Sequence, residues 1–94
     1  MTFAKLFETE DMGQILVMVG QSHECMPEVR TWVQPAGLAP CSIAIGFDDS
    51  VEGERLANDL FEAIDTATAR RTATAIIDAA NGKLPFHLGG EPSA

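Results

Sequence analysis

The chain has 94 residues, 46% of them hydrophobic and 21% charged, which is ordinary for a globular protein and leaves room for one core but no second domain. Fourteen Asp and Glu against six Lys and Arg give a formal net charge of -8, which disfavours nucleic-acid backbones and anionic membranes as direct ligands and favours basic protein partners. A domain this short buries roughly 60 to 65% of its unfolded surface, so burial against a partner subunit would add to its stability.

The first half reads as strands separated by turn residues. Phe3 to Phe7 is followed by the polar turn Thr9 to Gly13 and the apolar run Ile15 to Val19, a hairpin pattern that ends at Gly20. A loop from Gln21 to Pro27 leads to Val29-Arg30-Thr31-Trp32-Val33, which alternates as a half-buried strand does. Gln34 to Pro40 is a turn with two prolines. Beyond it Cys41, Ile43, Ile45 and Phe47 alternate with Ser42, Ala44 and Gly46, giving a fourth strand with an apolar face suited to the core.

The period then changes from two to about 3.6. Asp49 with Glu52 three residues later forms a capping box, and Leu56, Ala57, Leu60, Phe61 and Ile64 make the apolar stripe of a helix from about Val51 to Ile64. Asp65 or Thr66 caps a second helix, with Ala69, Ala73, Ile76, Ile77 and Ala80 as its stripe and Gly82 as its stop. Arg70 and Arg71 near its start oppose the helix dipole, so either the helices are continuous or the arginines have an acidic partner. The expected fold is α+β: a four-stranded antiparallel meander followed by two C-terminal helices packed on one face. Residues 1 to 84 form the domain, and residues 85 to 94, rich in Gly and Pro, a loosely ordered tail.

The start carries no apolar run of signal-peptide length, and no segment approaches the about 20 apolar residues of a spanning helix. A cytoplasmic protein without membrane association is expected, with Cys25 and Cys41 as reduced thiols.

Three constellations could carry chemistry. His23, Cys25, Cys41 and His87 supply the ligand types of a zinc site or a thiol-histidine pair, yet no C-x2-C or H-x3-H spacing brings them together. Asp48 to Gly53 matches the first half of a calcium loop and then fails, with Asp59 at the twelfth position and a strand where a helix should precede. Between Asp48 and Asp65 there are seven acids and one base, and Glu52, Arg55, Asp59, Glu62 and Asp65 share one stripe. That stripe is either a solvated face with Arg55 paired to Asp59 or a docking surface for a basic partner. Trp32 lies on the sheet face that the helices are expected to leave open, with Ala44 and with Leu16 or Val17, and is the anchor expected for a homodimer or a stable partner; the competing reading is that the second helix or the Pro85 to Leu88 tail folds back over this face.

The runs Phe3 to Phe7, Gly13 to Val17, Pro27 to Arg30 and Cys41 to Phe47 resemble small acidic proteins of phages and prophages that carry no assigned activity. The resemblance covers about half the chain and implies a phage accessory role without a mechanism or functional residues.

No catalytic signature is present. The expectation is a non-enzymatic protein-binding factor without a cofactor, a phage or prophage accessory protein or an inhibitor of a host protein, that uses Glu52, Asp59, Glu62, Asp65 and Trp32. The alternatives are a structural dimeric assembly subunit and a small metal- or thiol-dependent protein built on His23, Cys25, Cys41 and His87.

Overall fold

A computed structural model describes residues 4–82, so the expected tail and His87 lie outside the described residues. The alternating half of the sequence forms one antiparallel sheet in chain order, with β1 (Ala4–Thr9), β2 (Gly13–Gln21), β3 (Pro27–Val33) and β4 (Cys41–Gly46) each paired to its sequence neighbour. The helices α1 (Val51–Ala63) and α2 (Thr66–Ala80) follow, and both cover the same face. The α+β architecture is thus the one read from the sequence. No helix among the described residues is long and apolar enough to cross a membrane.

The local chemistry explains the turns. In the first hairpin the Thr9 hydroxyl accepts from the Met12 N–H at 3.0 Å and donates to the Gly13 carbonyl at 2.8 Å, while Gly13 takes φ +75°, a conformation glycine adopts without strain. At the second turn the Ser22 hydroxyl accepts from the Glu24 and Met26 N–H groups, and Cys25 sits in the left-handed region at φ 63°.

Strand periodicity divides the sheet into two faces. Ile15, Val17, Val29 and Val33 point toward the helices and form the core with Ala57 and Phe61 of α1 and Ala69, Ala73 and Ile76 of α2. The three alanines bring the helix backbones close to the sheet, and Phe61 fills the largest share of the space.

Several expectations need correction. The cap of α1 is Ser50, whose hydroxyl accepts from the Gly53 N–H at 3.0 Å, so the residue three positions on is Gly53 and the Asp49/Glu52 capping box does not form. Leu56 is 41% exposed and outside the core, because the covered stripe of α1 runs through Gly53, Ala57 and Phe61. The face of β4 expected in the core is on the correct side but incompletely covered: Cys41 and Phe47 flank the core while Ile43 and Ile45 between them stay exposed. The helices are separate, since Asp65 caps α2 by accepting from the Thr68 N–H at 2.9 Å. Arg70 has the acidic partner instead, a two-pronged pair with Asp11 at 2.8 and 2.9 Å that ties α2 to the first hairpin turn.

Candidate interaction surface

The face turned away from the helices is built by every second residue of the strands. Its central row runs Leu6, Leu16, Trp32, Ser42 across the four strands, and the next row runs Ala4, Met18, Arg30, Ala44. Residues directly opposite one another share a face, so Leu16 lies beside Trp32 as expected. Val17, the other neighbour considered for Trp32, is fully buried on the helix side. Ala44 stands opposite Arg30, one row away from the tryptophan.

Coverage of this face is partial. Leu6 is 53% and Met18 40% exposed, and Leu16 and Trp32 are half-buried. Both helices pack on the opposite side, so the apolar run of β2 has helical cover on one side only. Trp32 is held in place by its surroundings. Arg30 lies over its ring at 6.0 Å, and the guanidinium is fixed by Glu28 at 3.0 and 3.3 Å and by the Ser42 hydroxyl at 2.7 Å. Hollows open on either side of the indole, one bordered by Leu6, Leu16, Pro35 and Pro40, the other by His23, Glu24 and Glu28. Trp32 is therefore a braced ridge between two depressions, a geometry that suits an anchor for association.

The acidic stripe of α1 is less free than its spacing suggested. Arg55 bridges Glu52 and Asp59, with the Asp59 contact at 2.7 Å, and its hydrogen bonds hold the Glu52 carboxyl below the usual range. Asp65 is the cap of α2, and the N–H of Thr68 lowers its pKa as well. Glu62 and Asp59 stay exposed on a helix that lies across the sheet from Trp32, so the two expected surfaces face different directions.

The cysteine and histidine constellation does not assemble. Cys25 lies in the turn before β3 and Cys41 pairs with Val33 at its other end, so a seven-residue strand, about 20 Å long, separates them. Among the described residues no three of His, Cys, Asp and Glu gather in metal-binding geometry, the calcium-like run Asp48 to Gly53 included, and both thiols are unpaired.

Sequence reasoning missed Lys5. It occupies the helix-facing side of β1, and its ammonium donates to the carbonyls of Phe61, Glu62 and Ile64 at 2.7, 3.1 and 3.2 Å, with the Phe61 ring 4.8 Å away. α1 has no base in its own last turn, so Lys5 supplies the positive charge that its C-terminal carbonyls favour. No sequence signal links positions more than fifty residues apart. No protein-family model, curated protein or solved structure matches this chain.

Proposed function

We propose that this protein is a non-enzymatic binding factor that docks a partner protein on the open face of its sheet, with Trp32 as the anchor. The observation that carries the reading is the apolar row Leu6, Leu16 and Trp32 with Met18 beside it, which no helix among the described residues covers, on strands whose other face already supplies the core. The partner presents an apolar ridge bordered by basic side chains. Glu8 and Glu24 edge the face, the whole chain carries -8, and a second copy laid face to face would bring those acids together. Glu52, Asp59 and Glu62 act at a distance, raising the encounter rate with a basic partner rather than touching it. The resemblance to small acidic phage and prophage proteins supports an accessory or inhibitory role toward a host protein.

The test uses the chain's one tryptophan as both variant and reporter. Affinity capture is run in parallel with the natural chain and with Trp32→Asp, the fold of each checked by circular dichroism. The natural chain retains a partner that Trp32→Asp loses at least tenfold, and the purified partner shifts the Trp32 emission to shorter wavelength. Asp59→Lys with Glu62→Lys slows association and flattens its salt dependence. Equal capture by a folded Trp32→Asp chain overturns the reading. A dimer of the natural chain that Trp32→Asp converts to a monomer gives the face to a second copy instead.

A further inference from the structure

The sheet has two edges, and they are built differently. On β1 the charged Lys5 points inward and Glu8 stands on the open side, features that discourage another strand from pairing there. β4 has neither charge nor proline between Cys41 and Gly46. Its Ile43 and Ile45 point to the helix side, yet they are 41% and 51% exposed, so α2, which packs against this strand, covers them only in part.

The hydrogen-bond phase of β4 follows from one contact. The Phe47 N–H donates to the Pro27 carbonyl at 2.8 Å, in the register that pairs Val29 with Ile45, Thr31 with Ile43 and Val33 with Cys41. Bonded pairs alternate along antiparallel strands, so these residues direct their backbone groups to β3. The N–H and C=O groups of Ser42, Ala44 and Gly46 therefore face outward along the free edge.

We propose that β4 pairs antiparallel with β4 of a second copy about a two-fold axis at Ala44, joining two sheets into one of eight strands. In this register Ala44 exchanges backbone bonds with Ala44 of the second copy, and Ser42 with Gly46 in both directions. All outward groups then find partners. Ile43 meets Ile45 of the second copy twice, in the closely spaced pairs that bring side chains nearest, and both contacts fall on the helix side where these residues are only partly covered. The symmetry of the strand itself selects this occupant: on either side of Ala44 it carries an isoleucine, Ile43 or Ile45, and then a small residue, Ser42 or Gly46. Two chains of -8 repel, and this strand lets them meet without a carboxylate at the contact. The small side chains of Ser42, Ala44 and Gly46 leave the joined open faces unobstructed, so the dimer carries two Trp32 ridges on one surface. The inference does not rest on the partner reading above.

Light scattering after size exclusion, across the micromolar range, reports twice the 10.1 kDa chain mass for the natural protein and for Trp32→Asp. Ile45→Lys, at a position already exposed, gives a folded monomer. So does Ala44→Pro, which removes an outward N–H without touching the β3 ladder. Amide exchange of Ser42, Ala44 and Gly46 is slow in the natural protein and fast in Ile45→Lys. A natural chain that is monomeric throughout overturns the proposal, as does a dimer that survives both edge variants. Loss of the dimer in Trp32→Asp alone moves self-association to the open face, and edge amides protected only in a complex with another protein assign β4 to that protein's strand.

Discussion

The two faces of the sheet are drawn from the same strands but fare differently. On the helix side Ile15, Val17, Val29 and Val33 are at most 2% exposed and sealed by Phe61 and the alanines of α1 and α2. On the other side Leu6, Leu16, Met18 and Trp32 are comparably apolar yet partly wet. The difference teaches that hydrophobic content does not by itself say what an apolar strand is for. The covered side drives folding, and the other leaves apolar area at the surface, where the proposed partner would dock.

Truncation should separate the two sides most sharply. Phe61→Ala removes the largest fully buried side chain and is expected to cost about 3 to 5 kcal/mol in denaturant unfolding. Trp32→Ser removes a larger side chain from the open face and is expected to cost about 1 kcal/mol or less. Equal losses would place Trp32 in the core of the single chain and close the open face to a partner.

An intermediate effect is expected at Lys5, which joins the edge of the sheet to the end of α1. Lys5→Ala removes the charge from three carbonyls and is expected to destabilise the fold by about 1 to 2 kcal/mol. Amide exchange should locate the loss in the last turn of α1, with the open face unaffected. Lys5→Met keeps the aliphatic stem over Phe61 and separates packing from charge. If Lys5→Met is as stable as the natural chain, the carbonyl contacts contribute nothing.

The architecture was legible because periods of two and 3.6 are local signals, and the strand and helix order followed from them. The side on which Trp32 lies was legible for the same reason, since alternation along β3 fixes it relative to Val29 and Val33. What escaped depended on distant residues. Lys5, the Asp11 and Arg70 pair and the Glu28, Arg30 and Ser42 brace join elements that no spacing rule connects. Gly53 shows the limit well. In sequence it is a weak helix former, but a Cβ there would stand 1.8 Å from the Asp48 carbonyl oxygen, so the close approach of chain and helix requires glycine. Ile43 and Ile45 misled in the opposite sense, because alternation reports which face a residue is on and not how completely that face is covered.

The smallest expected effect concerns acid, and it probes the covered side through the contacts that hold its helices. The Arg70 guanidinium lowers the pKa of Asp11, Arg55 lowers that of Glu52, and the Thr68 N–H lowers that of Asp65, from ordinary values of 3.8, 4.5 and 3.8. Each folded value lies below the unfolded one, so the contribution is complete above about pH 5 and is lost as pH falls through the folded values. All three groups lie at the exposed surface, and solvent keeps each contribution small. Stability should therefore decline gently toward acid, and Asp11→Asn should make that decline shallower. High salt distinguishes the causes: it screens the Asp11 and Glu52 ion pairs but leaves the short hydrogen bond from Thr68 to Asp65. In molar salt the acid dependence that remains should belong to Asp65 and disappear in Asp65→Asn, which still caps the helix without a titrating group. An acid slope unchanged in Asp11→Asn at low salt would show that the pair joining the hairpin turn to α2 does not hold the helices to the covered face.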